Sequence, residues 1–429
     1  MGCAPARILL LAPCSGGHGF PRWRKGDGKT LTGLGKKGVG RPGGVARSNR
    51  GRGVPETKHT GLSSLCPGFK SRPGRHRLYL PPLRELMESS HPTVRRALFF
   101  EKLGGGRVRC GVCERRCEVE EGGTGFCGTR VNRGGEMYTL IYGDVSSLSA
   151  NPIEKKPFYN FWPGSTALTA GSWGCNFTCP WCQNWTLSKT GPSPERAHHL
   201  SPEDFVRLTL REGCRGTSLS FNEPTLMAEW ALDVFRLAKK EGLYNTFVSN
   251  GYMTEEVLRA LAEAGLDAIN VDVKGDGEAV RRHCGADVER VWRNVALSRR
   301  LGLHVEVVNL IIPGVNERED QLLSLIRRHL REAGPETPLH FTAYFPSHRF
   351  TSPPTHVSVL ERARDLAVGE GVEFAYVGNV PGHRYEHTYC PSCGELLLRR
   401  FGVELVECRM REKRCPRCGR EIPVVGELP

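Results

Sequence analysis

From about residue 166 onward, short β-branched apolar runs alternate with stretches whose apolar residues recur at helical spacing. The runs begin near Thr166, Gly216, Tyr244, Ala268, His304, Leu339 and Glu373, and the last six starts lie 24 to 36 residues apart, the length of one strand-and-helix unit. Ser201, Pro202 and Asp204 have the order of an N-cap, a first-turn proline and a capping partner, and Thr254 opens a helix that Gly265 can close. Leu226 to Leu243 and Asp320 to Ala333 each keep an apolar face, with basic residues late in the stretch. Right-handed units in series predict an α/β fold, either an open doubly wound sheet or a barrel, with its chemistry at the carboxyl ends of the strands. Polar residues collect at those ends: Cys175 after the first strand, Asn222 and Glu223 after the second, Ser249 and Asn250 after the third, Asp272 and Lys274 after the fourth, and Asn309 late in the fifth.

The first 86 residues follow neither period. They hold 17 Gly, few aromatics and 17 of the 60 Lys and Arg, against three acids, Asp27, Glu56 and Glu85. Such a stretch buries too little apolar surface to offset its ordering entropy, which predicts a disordered basic extension. The rest of the chain carries 43 bases and 43 acids, so the formal charge of +14 belongs to the extension and no nucleic-acid-binding core is expected. The apolar block Ile8 to Ala12 is too short for a secretory signal, and no apolar run reaches membrane-spanning length. Met87 opens a segment of ordinary composition and is expected to serve as the true start. The expected divisions are 1–86, an N-terminal four-cysteine module over 87–150, the βα barrel over 151–380, and a C-terminal four-cysteine module over 381–429.

Of 17 Cys, 11 fall into three short clusters, a pattern that suits metals better than disulfides and points to a reducing cytoplasm. Cys3, Cys14, Cys66, Cys214, Cys284 and Cys408 stand alone and read as small buried or tail thiols. The run Gly171-Ser-Trp-Gly-Cys175-Asn-Phe-Thr-Cys179-Pro-Trp-Cys182 sets three thiolates within eight residues. A structural zinc wants four closed ligands, whereas an iron–sulfur cube held by three Cys keeps one iron open for substrate chemistry. The competing reading is a zinc site completed from afar, with Cys214 as the fourth ligand.

The spacing Cys175-x3-Cys179-x2-Cys182, with Trp181 before the last Cys, resembles the signature of the radical S-adenosylmethionine (SAM) superfamily. The longer run from Asp144 through Asn151-Pro-Ile-Glu-Lys-Lys-Pro157 to Cys182-Gln-Asn-Trp185 is similar to the AmmeMemoRadiSam-system radical SAM enzymes, themselves similar to pyruvate formate-lyase activating enzymes. The resemblance spans roughly Met87 to the C-terminus. It implies a partial TIM-like (β/α)6 radical SAM barrel with small Cys-rich metal modules at both flanks. It further implies that Cys175, Cys179 and Cys182 hold a 4Fe-4S cluster whose open iron is chelated by SAM, and that reductive cleavage gives a 5'-deoxyadenosyl radical for hydrogen abstraction. A low-potential electron donor of the ferredoxin or flavodoxin type is the partner such chemistry needs.

Carried over residue by residue, Glu223 accepts from the SAM ammonium, although Phe221-Asn222-Glu223-Pro224-Thr225 stands where the superfamily has a Gly-Gly-Glu turn. Ser249-Asn250-Gly251 and Asp272-Val-Lys274 match motifs of the related enzymes and imply contacts to the ribose hydroxyls and the methionyl carboxylate. His340 falls in a Pro-x-His pattern of the activating enzymes, and reads equally as a SAM contact or a satisfied core histidine. Pro313-Gly314 reads as turn chemistry in a place where the family holds adenine.

Cys390-Pro-Ser-Cys393-Gly and Cys415-Pro-Arg-Cys418-Gly are paired knuckles that aim four thiolates at one zinc, with a rubredoxin-like iron as the alternative. A ribbon of about 40 residues would be marginal without such a staple. Cys110, Cys113, Cys117 and Cys127 supply another four ligands at irregular spacing, for zinc or an auxiliary iron–sulfur cluster. The leading function is a cytoplasmic radical SAM enzyme acting on a glycine of a partner protein, as an activase does, or on a small molecule or modified peptide. Two alternatives stand beside it: a radical SAM methyltransferase or maturase, and a non-catalytic multi-zinc adaptor binding nucleic acid through the basic extension.

Overall fold

A computed structural model describes residues 91–193 and 196–429. The expectations placed on residues 1–86, on Met87 and on Cys3, Cys14 and Cys66 lie outside the described residues. Eight strands run in chain order across one sheet: β1 Ser147–Pro152, β2 Thr166–Gly171, β3 Gly216–Leu219, β4 Tyr244–Ser249, β5 Ala268–Asp272, β6 His304–Ile311, β7 Leu339–Ala343 and β8 Ala375–Gly378. β1 lies antiparallel to β2, and β2 through β8 are parallel. Six helices connect the parallel strands: α1 Pro202–Arg211, α2 Ala228–Lys240, α3 Glu255–Ala264, α4 Val288–Arg300, α5 Glu319–Glu332 and α6 Val357–Glu370. Six of the seven expected strand starts coincide with observed ones, and β8 begins two residues after the expected Glu373.

Local chemistry sets these boundaries. Ser201 Oγ accepts from Asp204 N at 3.1 Å at the start of α1, and Thr254 Oγ1 accepts from Val257 N at 3.3 Å at the start of α3. Gly265 ends α3 with φ 107°, where a side chain would be strained. Along each strand, alternate residues face the helices and the barrel interior. Phe247 packs on Phe235 of α2 with rings 5.5 Å apart, while its neighbour Val248 faces the interior. β1 was not expected, because its Ser-Leu-Ser-Ala-Asn-Pro sequence carries no β-branched residue, offers only Leu148 and Ala150 as apolar positions and ends on a proline. It straddles the division expected at residue 150 and extends the barrel sheet by one strand.

The N-terminal region forms two three-stranded antiparallel sheets, one from Arg95–Arg96, Arg130–Arg133 and Glu136–Thr139, the other from Phe100–Lys102, Val108–Cys110 and Glu118–Val119. It is pinned to the barrel by buried Arg130, whose two terminal nitrogens donate to the Glu229 carboxylate of α2 at 2.8 and 2.6 Å. A bidentate pair of this kind is costly to break, because either partner left alone is a buried charge.

The amino ends of the strands are closed by residues 153–165. Glu306 of β6 is fully buried there and accepts from Tyr159 N and Asn160 N, both at 2.8 Å, from His304 at 2.9 Å and from His340 at 2.6 Å. Burial alone would raise this carboxyl, but the two imidazoles hold it at about 2. The C-terminal ribbon, with strands Thr388–Tyr389, Leu396–Phe401 and Glu404–Cys408, packs on the same end. Its buried Arg400 reaches the Tyr159 carbonyl at 2.8 Å and stacks over the Tyr159 ring at 4.2 Å. Among the described residues, no helix is long and apolar enough to cross a membrane.

Candidate active site

At the opposite end, where the parallel strands finish, the sheet wraps a cleft of about 280 Å³. Cys175, Cys179 and Cys182 line it, as do Trp181, Asn222, Glu223, Ser249, Asn250, Asp272 and Lys274. The fold therefore brings together every residue of the expected cofactor set except His340. That histidine lies early in β7, bonded to Glu306 and stacked on Tyr376 with rings 5.0 Å apart, which is the core-histidine alternative.

The three-cysteine loop is held by its backbone from several sides. Thr178 N donates to the Cys284 carbonyl at 3.1 Å, Arg349 N to the Pro180 carbonyl at 2.9 Å, and Lys189 Nζ to the Phe177 carbonyl at 2.5 Å. Asn222 clamps the entry to the loop: its Oδ1 accepts from Ser172 N at 2.9 Å and its Nδ2 donates to the carbonyls of Trp173 and Gly174 at 3.1 and 3.3 Å. This engages both ends of the amide, so Asn222 positions the loop and has its polar atoms already committed. Burial pushes the Cys175 thiol up to about 12. Cys179 is held well above the ordinary thiol range, first by its hydrogen bond with Cys284, whose sulfur lies 3.4 Å away, and then by burial. Cys284, not Cys214, is the distant thiol that the fold delivers to this loop; Cys214 sits just before β3, at the opposite end of the strands. Spacing along the chain could not reveal this, because Cys284 arrives on a turn of π-helix, Val280–Cys284, more than a hundred residues later.

Glu223 is buried and ties two strand ends together. Its Oε1 accepts from Thr225 N at 3.1 Å, Thr225 Oγ1 at 2.6 Å and Ser249 Oγ at 2.7 Å, and its Oε2 from Asn250 N at 2.9 Å. Burial still raises its carboxyl above the usual range, opposed by these donors. Asn250 Nδ2 in turn donates to Asn176 Oδ1 at 2.7 Å, beside Cys175. Lys274 Nζ lies 2.9 Å from Asp272 Oδ2; burial would lower it, but Asp272 and the Cys179 sulfur hold it above the ordinary lysine range.

Phe221 takes φ 74°, a left-handed conformation that a glycine would adopt without strain and that a bulky residue rarely holds. This is the position where the expected turn has glycine, and Phe221 holds here a conformation open to glycine. Gly171 makes room for it, since a Cβ there would fall 2.9 Å from the Phe221 ring. The Lys156 ammonium stands over that ring at 4.5 Å with no hydrogen-bonding partner among the described residues, the residue being 3% exposed; burial draws it down to about 7. Sequence reasoning missed Lys156, one of two adjacent lysines after Glu154, and it missed the cleft-lining Asn270, Thr342 and Asn379, which are isolated polar residues in strand or turn segments. Pro313-Gly314 forms a turn in which Gly314 N donates to Glu317 at 2.8 Å.

The chain is similar to several known proteins. The sequence pattern of the Radical SAM superfamily matches residues 172–326. An uncharacterized protein of Methanocaldococcus jannaschii is 42% identical over 335 residues, 77% of this chain and 100% of that relative. GTP 3',8-cyclase of Aquifex aeolicus is 28% identical over 165 residues, and the match spans only 49% of that enzyme. Among solved structures, a radical SAM methyltransferase from Sphaerobacter thermophilus aligns with 74% of this chain and 86% of its own, at 15% identity and a TM-score of 0.42. A domain of pyruvate-formate lyase-activating enzyme from Bacteroides vulgatus aligns with 38% of this chain and 99% of its own, at 16% identity and a TM-score of 0.34.

Proposed function

Because this chain belongs to the radical SAM superfamily, we propose that Cys175, Cys179 and Cys182 hold a 4Fe-4S cluster and that SAM binds in the adjoining cleft. When bound, the cluster supplies the electron that splits SAM into methionine and a 5'-deoxyadenosyl radical able to abstract hydrogen from a substrate. The observation that carries the reading is sulfur spacing: the three thiols line one cleft, yet they do not lie within 4.8 Å of one another, as ligands of a single metal ion must. A multi-zinc adaptor would need this loop to be as compact as the C-terminal knuckles, and it is not.

Within the cleft the residues have distinct tasks. Asn222 and Glu223 fix the loop and the Ser249–Asn250 turn, and Lys274, charged and paired with Asp272, presents a cation for the methionyl carboxylate. Trp181, packed between His283 and Phe350 with ring centroids 5.3 and 5.5 Å away, excludes water from the cysteines. The C-terminal knuckles are read as a structural zinc site remote from this chemistry. The electron donor is of the ferredoxin or flavodoxin class, and the cytoplasm suits fourteen described cysteines that all remain free thiols. The AmmeMemoRadiSam resemblance keeps a protein glycine as a substrate class; cyclisation of GTP is not carried over, because the match covers about half of the cyclase.

The deciding experiment is anaerobic reconstitution with iron and sulfide, followed by reduction in the presence of SAM. The expected result is a brown protein that releases 5'-deoxyadenosine, with release abolished in Cys179→Ala. A colourless protein, or iron without nucleoside release under strong reductant, overturns the reading.

A further inference from the structure

The flanking cysteine sets differ in scale. In the C-terminal ribbon the four sulfurs of Cys390, Cys393, Cys415 and Cys418 lie within 4.8 Å of one another, with the pairs Cys390–Cys418 and Cys393–Cys415 both at 3.6 Å. A tetrahedral ion with metal–sulfur bonds of about 2.3 Å spaces its sulfurs about 3.8 Å apart, so the ribbon is already cut to one ion. Gly394 and Gly419, at φ 71° and 75°, make the two matching turns.

The N-terminal four are arranged otherwise. Cys110, Cys113, Cys117 and Cys127 line one small, partly open cavity, but among the described residues no three of their sulfurs approach within 4.8 Å of one another. Neither this set nor the three-cysteine loop is drawn together as the ribbon is. Backbone contacts anchor the four cysteines around the cavity. Cys110 ends a strand and its N–H donates to the Cys117 carbonyl at 2.9 Å; Cys113 pairs with Met253 in a β-bridge. Cys127 Sγ lies 3.1 Å from Thr129 Oγ1, and Cys117 Sγ accepts from Phe126 N at 3.5 Å, contacts of the kind that tune a cluster's sulfurs. Arg115 and buried Arg130, the latter already paired with Glu229, also line the cavity.

The cavity shares a wall with the three-cysteine loop. Asn176, the residue after Cys175, lines it, and the Asn176 carbonyl accepts from Arg115 Nε at 2.6 Å. At Gly174 the approach is so close that a Cβ would fall 2.7 Å from the Cys127 carbonyl. We propose that Cys110, Cys113, Cys117 and Cys127 hold a second iron–sulfur cluster, closed by four protein ligands, that relays electrons to the cluster at Cys175, Cys179 and Cys182. With no open iron the second cluster has no place for substrate, which leaves electron transfer as its chemistry. A one-electron donor of the ferredoxin or flavodoxin class reduces it by one electron, and it is reoxidised as that electron passes to the loop cluster. The relay rests on the function proposed above; the identity of the second cluster does not.

The test uses the full chain with Cys175→Ala, Cys179→Ala and Cys182→Ala combined, reconstituted anaerobically with iron and sulfide. A second cluster leaves about four iron per chain, brown colour and one zinc. Iron-free protein with two zinc per chain overturns the assignment, and this count is independent of whether SAM is ever cleaved. For the relay, Cys113→Ser with Cys117→Ser in the otherwise native chain is expected to lose the second cluster and flavodoxin-driven nucleoside release while keeping release driven by a small chemical reductant. Flavodoxin-driven release that survives loss of the second cluster refutes the relay. If this variant does not fold, the metal count of the triple variant still decides the cluster.

Discussion

The Cys284 sulfur lies 3.4 Å from that of Cys179, closer than two thiolates bound to different corners of one cluster would sit. Cys284 thus acts as a hydrogen-bonding neighbour of a ligand and not as a fourth ligand. Cys284→Ala is expected to keep full iron content and SAM cleavage while making the loop cluster harder to reduce, because a hydrogen bond to a ligand sulfur favours the reduced state. Redox titration followed by electron paramagnetic resonance checks this. Loss of iron in Cys284→Ala would mean that the loop's centre is closed by four ligands and that the proposed enzyme chemistry fails.

Asn222→Ala removes one acceptor and two donor contacts from the backbone of Ser172, Trp173 and Gly174. Unpaired buried backbone groups cost about 1–3 kcal/mol, so thermal unfolding of the metal-free chain is expected at lower temperature. Cluster occupancy should fall, whereas SAM affinity of the fraction that does assemble should stay native. Equilibrium binding to reconstituted protein separates the two.

Glu223→Gln turns an acceptor of four hydrogen bonds into a group that meets some of those donors with a donor of its own. A stability loss of about 1–3 kcal/mol is expected, together with weaker SAM binding through the displaced Ser249–Asn250 turn. Denaturant melts with unchanged midpoint would contradict this account of the turn.

Lys156 gives a pH signature. Its folded value of about 7 lies below the unfolded lysine value. Between the two the unfolded chain binds more protons, so this group makes stability rise with pH from about 7 to about 10, and its full burial penalty is present below 7. Lys156→Met is therefore expected to stabilise the chain at pH 6, by about 1–3 kcal/mol, and to do little at pH 10. Thermal melts at the two pH values test the sign; equal effects at both remove the penalty from the account.

Stripping the ribbon's metal is expected to loosen the closed end of the barrel as well as the ribbon, since Arg400 is buried against Tyr159 and the Glu306 cluster lies just behind it. Hydrogen exchange should show lost protection over residues 388–408 and also over 153–165 after chelation. Protection lost from the ribbon alone would show that the contact carries no stability.

How much of this was legible in the sequence depended on whether the signal was local. Strand starts and helix caps were, because period, Ser201 and Gly265 act within a few residues. The strand Ser147–Pro152 was not, since its pairing with β2 overrides a poor strand composition. The cleft residues could be chosen by their place at strand ends, and all but His340 converge. What those residues do was less visible: Asn222 reads as a ligand contact along the chain, yet in three dimensions its amide is spent on the backbone. Cys284 carried no motif, Lys156 had no role assigned within the run Asn151 to Pro157, and only the tertiary fold gives them these neighbours.

The Arg130–Glu229 pair and the Cys113–Met253 bridge have a practical corollary for anyone trimming the gene. A fragment limited to the barrel would strand Glu229 as an uncompensated charge in the interior and strip the outer support from the turn that carries Asn250. The segment 172–326 is thus a recognisable stretch of sequence without being an autonomous unit of folding, and the smallest useful expression product has to begin upstream of Cys110.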